Sequence, residues 1–248
     1  MEDTLLYFAL KYEGDFDLIY HALIQKEVID YEYFKQLKKD MKCQYTTLVS
    51  EDYPTCLKEI GQPPFVLFYY GDLSLVNENT IAMVGMRNPS EYGKNSAISI
   101  SKFLAKNNQV VVSGLAKGID TYCHIGAIDQ KGKTIAVLGS GIDYCYPSRN
   151  FLIYEIIKKD HLIVSEYPGM TKPHRKYFPA RNRIVAGLSQ KLVVVEAKRK
   201  SGTMISVGFA LEQGKEIYCV PSRLDDHDGC NYLISQGAHL LCDFNELI

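Results

Sequence analysis

Apolar residues recur at helical spacing over the first 40 residues of the chain. They cluster at positions 5–9, 19–24 and 33–37, with Gly14 between the first two groups. Because side chains three to four positions apart share one face of a helix, this pattern predicts two or three helices in a short helical segment at residues 1–40. Residues 41–64 contain Tyr53-Pro54 and Pro63-Pro64, which predict an irregular connection.

A different pattern begins at about residue 65, where short apolar runs alternate with segments long enough for helices. The runs lie at residues 80–84, 109–112, 134–138, 162–164, 192–195, 216–220 and, more weakly, 239–241. Between the first two runs, Ala97, Ile100 and Leu104 share one face of a predicted helix that Ser90 would cap. Strands that are apolar on both faces and alternate with helices form a parallel sheet covered on both sides. Residues 65–248 therefore predict an α/β domain, an extended Rossmann-like, doubly wound fold with a mostly parallel sheet.

Four of the predicted strands lead into loops rich in glycine and small polar residues, at positions 84–90, 112–120, 137–143 and 195–203. Glycine lets the backbone approach a ligand closely, and N–H groups at a helix start attract anions. One such loop is common in any α/β protein. Four at the same sheet edge, three of them with Arg or Lys, indicate a phosphate-rich ligand.

Two common phosphate-binding motifs are missing from these loops. The segment Gly139-Ser140-Gly141 lacks the third glycine of a dinucleotide fingerprint, and no loop reads GxxxxGK[ST]. Dinucleotide redox chemistry and P-loop hydrolysis are therefore poorly supported, and we expect no cofactor.

Charge is distributed unevenly along the chain, although the net charge is only −1. Residues 167–195 contain no Asp or Glu and include six Lys and Arg residues, with Tyr177 and Phe178 among them. Cationic groups that follow a phosphate backbone, beside aromatic rings on which bases stack, are typical of surfaces that bind single strands. The same composition also fits a solvated loop with one buried aromatic residue.

Catalytic and metal-binding patterns are sparse. His124 follows Asp120 by four residues, a spacing more often used for a structural hydrogen bond than for a catalytic pair. The run from Asp225 to Asp228 resembles a metal-ligand cluster, but an exposed loop is favoured because adjacent side chains point in different directions. The seven cysteines include no CxxC pair, which argues against a disulfide framework and a structural zinc site. We therefore expect neither catalytic residues nor a metal.

Nothing in the sequence predicts a membrane association. The longest apolar runs are far shorter than the 18 or more residues that a membrane span requires. The first ten residues carry Glu2 and Asp3 rather than a basic cluster, so they do not resemble a secretory signal. We expect a cytoplasmic protein.

The motifs in combination resemble the DNA-processing protein A family (DprA, also Smf). The matching segments include residues 84–87 (VGMR), 113–120 (SGLAKGID), 136–143 (AVLGSGID), 178–184 (FPARNRI) and 231–238 (NYLISQGA). The resemblance covers residues 51 to about 242. It implies an extended Rossmann domain without established catalytic activity that binds single-stranded DNA in a positive pocket at the strand ends. It further implies a homodimer that protects incoming DNA and loads RecA onto it during natural transformation, with both contacts within residues 204–240.

The resemblance also implies a set of DNA-binding residues. These are Gly85, Arg87, Ser113, Gly114, Lys117, Gly139, Gly141, Arg149, Lys172, Arg175, Lys176, Phe178, Arg181, Asn182 and Arg183. Two departures from the family pattern stand out. The segment at residues 1–40 lacks the Gly-rich hairpin of a SAM-type domain, and the sequence stops at Ile248, so we expect no C-terminal winged-helix domain.

Two alternatives remain open. Related Rossmann-like enzymes cleave nucleoside monophosphates with a PGGxGTxxE loop, but the loop at residues 198–206 (KRKSGTMIS) keeps only the Gly-Thr pair and lacks the glutamate. The other alternative, a nucleotide-sensing domain, would bind mononucleotides tightly and have no affinity for strands.

Overall fold

The computed structural model of the protein describes residues 1–223 and 228–248. In these residues the strands are β1 (Gln44–Thr47), β2 (Val66–Gly71), β3 (Thr80–Gly85), β4 (Val110–Ser113), β5 (Thr134–Leu138), β6 (Leu162–Ser165), β7 (Lys191–Glu196), β8 (Glu216–Cys219) and β9 (His239–Leu240). The helices are α1 (Glu2–Lys11), α2 (Phe16–Ile24), α3 (Tyr31–Lys39), α4 (Thr55–Lys58), α5 (Glu91–Lys106), α6 (Ile119–Asp129), α7 (Phe151–Asp160), α8 (Tyr177–Gly187), α9 (Gly202–Glu212) and α10 (Gly229–Ser235). Short 3₁₀ turns cover Leu73–Asn77, Ser148–Asn150 and Phe244–Leu247.

All the strands in the described residues join one sheet, in the order β1-β2-β6-β5-β4-β3-β7-β8-β9. Seven neighbouring strands run parallel to one another, namely β6, β5, β4, β3, β7, β8 and β9. Strand β2 is antiparallel to both of its neighbours, β1 and β6. Successive strands from β3 to β6 extend in one direction and β7 to β9 extend in the other, so strand order reverses between β3 and β7. The prediction of a doubly wound, mostly parallel Rossmann-like fold is confirmed, and such folds bind ligands where the order reverses.

Successive apolar side chains of each central strand point to opposite faces of the sheet, and helices cover both faces. Val110 and Val112 face a core formed with α4, α8, α9 and α10, while Val111 faces the core formed with α5 and α6. The close approach of α5 and α6 depends on Gly126, since a Cβ there would lie 2.0 Å from Ser101 Oγ. Both faces of the central strands are thereby buried, as their apolar sequences require.

The N-terminal helices pack on the sheet rather than standing apart from it. Leu6 and Phe8 of α1 lie in one buried cluster with Phe68 of β2 and Leu138 of β5. This cluster lies on the face that α7 also covers. The N-terminal helices and the sheet therefore share a core.

The structure differs from the sequence expectation before residue 80. Residues 41–64, expected to be irregular, contain strand β1 and the short helix α4, and β2 adds a further strand. Strand β1 is short and reads QYTT at the sheet edge, so it carries no clear alternation of apolar and polar residues. Its pairing with β2 supplies the order that its own sequence does not predict.

No helix in the described residues is both long enough and apolar enough to span a membrane. Residues 225–227 of the run Asp225 to Asp228 lie outside the described residues, and Asp228 pairs with Arg199 at 2.5 Å.

Candidate nucleic-acid interface

A cleft of about 700 Å³ opens at the carboxyl ends of the parallel strands, where strand order reverses. Its walls come from the loops after β3, β4 and β7 and from helix α8, with Arg87, Gly114, Lys198 and Phe178 among the lining residues. Three of the predicted glycine-rich loops therefore meet around one cavity.

The loop that carries Arg87 is held from two sides. Met86 N–H donates to the carbonyl of Glu196 at 3.0 Å, and Met86 carbonyl accepts from Ile119 N–H at 3.0 Å. The buried Glu196 carboxylate accepts from Ser90 N–H at 3.0 Å, while Ser90 caps helix α5. The backbone around Arg87 is fixed, and its side chain is exposed at the cleft.

Arg87 and Phe178 make the central contact of the cleft. The Arg87 guanidinium carbon lies 5.4 Å from the centroid of the Phe178 ring, within the range of a cation–π interaction. Gly139 lies beneath this ring, and a Cβ at that position would be 2.9 Å from Phe178 Cδ1. The cleft thus brings a cation and an aromatic ring into contact, a pair of groups that suits one phosphate and one base.

Arg181 forms the floor of the cleft and is almost wholly buried. Its guanidinium donates to the carbonyls of Gly114 and Val137 and lies 4.0 Å from the Asp120 carboxylate. A Cβ at residue 114 would lie 2.3 Å from Arg181 Nη1, so this position requires glycine. Burial raises the pKa of Asp120 and lowers the pKa of Arg181, and the attraction between the two charges opposes both shifts. Most of the hydrogen-bonding capacity of Arg181 is used inside the protein.

Arg183, also expected to contact DNA, points into the interior and does not line the cleft. Its Nη2 donates to Glu166 Oε1 at 2.5 Å and its Nε donates to the carbonyl of Gln62 at 2.8 Å. Burial raises the pKa of Glu166, an effect that the Arg183 charge opposes. Arg183 thus neutralises a buried carboxylate, and the structure does not bring this predicted DNA-binding residue to the cleft.

The structure does not bring the predicted DNA-binding residues Ser113, Gly139 and Gly141 to the cleft surface. Gly141 N–H donates to the carbonyl of Thr171 at 2.8 Å, and residue 141 is buried. Ser113 is buried as well, and its hydroxyl donates to the carbonyl of Met83 at 2.7 Å. These residues position the loops and do not line the cleft.

The basic segment before α8 divides between two cavities. Arg175 lines the cleft, whereas Lys172 and Lys176 line a second cavity of about 810 Å³ between this segment and the N-terminal helices. Lys176 also pairs with Asp15 at 2.5 Å. The segment therefore sends one of these three cations into the cleft.

Of the other predicted residues, two line the cleft and two lie outside its lining. Gly85 and Asn182 line the cleft, and Asn182 accepts a hydrogen bond from Arg181 Nε at 3.1 Å. Lys117 donates to the Asn88 side chain, and Asn88 lines the cleft. Arg149 is exposed but lies outside the cleft lining.

Sequence reasoning missed several residues of the cleft as binding candidates, chiefly Asn88, Tyr146 and Lys198. The signals were present, since Asn88 follows Arg87, Tyr146 belongs to the Tyr146-Pro147 pair and Lys198 starts a basic run. Which strand-end residues meet across a sheet depends on strand order, which the sequence does not give.

Asp120 and His124 do not form a pair. Asp120 accepts from Ala116 N–H at 3.3 Å, whereas His124 Nδ1 lies 2.7 Å from Thr134 Oγ1. No group of three or more His, Cys, Asp or Glu residues able to hold a metal ion occurs within residues 1–223 and 228–248.

Three comparisons place this architecture among known proteins. The family model for DNA recombination-mediator protein A matches residues 44–248. The DNA processing protein DprA of Bacillus subtilis is 44% identical over 192 residues, which cover 76% of this chain and 65% of the relative. The chain thus spans just under two thirds of that relative.

Two solved structures share the fold at higher coverage. The structure of DprA from Streptococcus pneumoniae superposes with a TM-score of 0.84 at 34% identity, covering 99% of this chain and 92% of the other. DNA processing protein A from Helicobacter pylori, described for its single-stranded DNA binding mode, gives a TM-score of 0.76 at 33% identity. That match covers 82% of this chain and 93% of the other.

Proposed function

Because the chain belongs to the DNA recombination-mediator protein A family, we propose that it is a non-catalytic single-stranded DNA-binding protein that protects incoming DNA and delivers it to RecA. Relatives named for DNA processing, one of them described for its single-stranded DNA binding mode, support a role in DNA processing. The observation that carries the proposal is the cleft in which Arg87 lies against Phe178 at the reversal of strand order.

The proposed mechanism divides the work between cations and an aromatic ring. Arg87, Arg175 and Lys198 are exposed cations at the cleft and neutralise phosphates. Phe178 offers its ring to a base, and stacking of this kind tolerates every base because all have a π-face. Sequence preference should therefore be slight, since these groups do not read base edges.

Protein partners would use a different part of the chain. Helix α9 and the residues beyond it leave large apolar side chains exposed, including Leu211, Tyr232 and Leu240. Isolated apolar residues are common on surfaces, but several within the segment 204–240 fit a docking surface. We propose that this segment forms the homodimer and the contact with RecA. Substitution Leu211→Lys should shift the molar mass in light scattering toward the monomer, and an unchanged dimer would contradict this assignment.

The loop after β7 argues against nucleotide hydrolysis. It lacks the glutamate of the enzymes that cleave nucleoside monophosphates, and the cleft carboxylate of Asp120 lies beside buried Arg181. These two features leave the cleft poorly suited to provide an acid–base group for cleavage of a glycosidic bond. Release of free base from AMP above a control without protein would overturn the non-catalytic assignment.

The direct test is fluorescence anisotropy with labelled oligo-dT and a duplex of equal length across a salt series. With three to four phosphates neutralised, log K for the single strand should fall with log salt at a slope of about −2 to −3. Arg87→Ala should weaken binding and reduce the slope by about 0.7, while Lys102→Ala, outside the cleft, should not. Absence of binding at low salt by folded protein would contradict the proposal, and mononucleotide binding would then favour a nucleotide-sensing domain.

A further inference from the structure

Tyr146 is the exposed aromatic residue of the cleft that the proposed mechanism does not use. Its side chain lines the cleft and is 45% exposed. The ring centroid lies 5.6 Å from that of Phe178, with an angle of 43° between the planes. The two rings are thus tilted neighbours, and both residues line the cleft.

Buried tyrosines elsewhere in the chain show what a structural role would look like. Tyr53 and Tyr154 are each 2% exposed, and their hydroxyls donate to the carbonyls of Pro64 and Ile142 at 2.8 Å. The Tyr146 hydroxyl has no hydrogen-bond partner within the described residues. A large aromatic side chain at a cleft wall, with its hydroxyl free of a hydrogen bond inside the described part of the protein, is suited to contact a ligand.

The backbone on both sides of Tyr146 is fixed. Ser140 Oγ donates to the carbonyl of Tyr144 at 2.8 Å, before the residue. After it, buried Asn150 donates to the carbonyl of Leu115 at 2.8 Å and to Thr121 Oγ1 at 2.9 Å. The segment is therefore tied to the loop after β4, which also contributes to the cleft.

Arg149 gives this segment a cation. It belongs to the 3₁₀ turn Ser148–Asn150, three residues beyond Tyr146 in the chain, and it is exposed outside the cleft lining. An exposed cation in the same segment as an aromatic ring can supply a phosphate site near a base site.

We propose that Tyr146 is a second base-stacking residue, which receives the base next to the one on Phe178, and that the strand leaves the cleft toward Arg149. This inference rests on the proposed function of the cleft. It adds two features to that function, namely a direction for the bound single-stranded DNA and a second stacked base.

The absence of tryptophan from the chain allows a specific probe. In Tyr146→Trp the new indole is the single tryptophan, and it retains a ring for stacking. Titration with unlabelled oligo-dT should quench its fluorescence in parallel with the anisotropy of a labelled oligomer. A matched control is Tyr92→Trp on α5, where the native ring is 51% exposed and lies outside the cleft lining, and whose fluorescence should change little.

Affinity measurements complete the test. Tyr146→Leu should weaken oligo-dT binding by about 5- to 150-fold, the range expected for one stacked base, whereas Tyr146→Phe should stay within about twofold. Arg149→Ala should reduce the magnitude of the salt slope by about 0.7. Circular dichroism establishes that each variant is folded.

The outcomes separate this inference from the proposed function. If wild type binds oligo-dT but the Tyr146→Trp signal does not change and Tyr146→Leu binds normally, the second stacking site is wrong and the DNA-binding cleft remains. If no form of the protein binds oligo-dT, both proposals fail together.

Discussion

Asp15 accepts a hydrogen bond from Lys176 Nζ at 2.5 Å, which joins the N-cap of helix α2 to the basic segment beside the cleft. Burial alone would raise the pKa of Asp15, but the hydrogen bonds from Lys176 and from Leu18 N–H outweigh it and lower the pKa. Gly14 allows the chain to pass close to the start of this segment, because a Cβ there would lie 2.3 Å from the carbonyl oxygen of Glu166 and 3.0 Å from Tyr167 Cδ1. The N-terminal helices therefore hold the segment that carries Arg175.

This pairing predicts different effects for two adjacent cations. The charge of Lys176 is compensated by Asp15, whereas Arg175 has no ion pair within the described residues and lines the cleft. Arg175→Ala should weaken oligo-dT binding several-fold and reduce the salt slope by about 0.7, and Lys176→Ala should do less of both. Anisotropy across the salt series measures this difference. Equal losses for the two variants would show that Lys176 leaves Asp15 to contact the strand.

Arg183 should matter for stability and not for the DNA contact. Arg183→Met leaves the buried Glu166 carboxylate unpaired, which should lower the free energy of unfolding by about 3–5 kcal/mol. The double variant Arg183→Met/Glu166→Leu removes both charges and should recover part of that loss. Urea denaturation measures both effects.

Exposed Arg175 provides the control for this prediction. Arg175→Ala should change the free energy of unfolding by no more than about 0.5 kcal/mol. If Arg183→Met were as stable as wild type and bound DNA with a reduced salt slope, Arg183 would be a DNA contact and not a structural residue.

His124 gives the stability of the protein a dependence on pH. The Thr134 hydroxyl donates to the carbonyl of Val111 at 2.7 Å, so His124 Nδ1 must donate to Thr134 Oγ1. The proton-free Nε2 is buried without a partner in the described residues. Burial, followed by the charges of His161 and Arg181, lowers the pKa of His124 to about 3.

The sign of the pH effect follows from this low pKa. The unfolded chain takes up a proton at a pKa of about 6.5 and the folded chain at about 3, so stability is complete above pH 6.5 and falls as the pH decreases toward 3. Between pH 7.5 and 5, this one group should cost about 2 kcal/mol. Denaturation at both pH values measures the decrease in the free energy of unfolding. In His124→Gln, which keeps an N–H donor, this decrease should be smaller than in wild type by about the same 2 kcal/mol. A decline of equal size in wild type and variant would assign it to other groups.

Gly139 should affect the cleft through Phe178. Its Cβ would lie 2.9 Å from Phe178 Cδ1, so Gly139→Ala must displace the ring on which a base is proposed to stack. We expect oligo-dT binding to weaken several-fold, as a stacking contact is lost or misaligned. Gly61→Ala is the matched control, because nothing lies within 4 Å of its Cβ position. Unchanged binding by Gly139→Ala would argue against stacking on Phe178.

The sequence predicts the strands of the central sheet and the loops that line the cleft. It does not predict which charged side chains pair with each other inside the protein. The apolar runs match strands β3 to β9 within about two residues because buried parallel strands have continuous apolar sequences. The sequence does not predict strand β1, because a polar edge strand forms by pairing with its neighbour and has no apolar pattern of its own. Arg181 and Arg183 look like surface cations in a basic segment, and only the fold reveals that Asp120 and Glu166 meet them inside. Charge counts therefore overestimate the charge available to a ligand.

The anchoring of helix α8 by its two buried arginines has a consequence for the kinetics of binding. The helix that carries Phe178 cannot shift without breaking the Arg183–Glu166 pair and the bonds from Arg181 to two strand-end carbonyls. A site assembled before its ligand arrives requires no slow rearrangement and gives up little conformational freedom on binding. Association with oligo-dT in stopped flow should then be a single phase whose rate rises linearly with oligomer concentration, with salt acting mainly on the encounter rate.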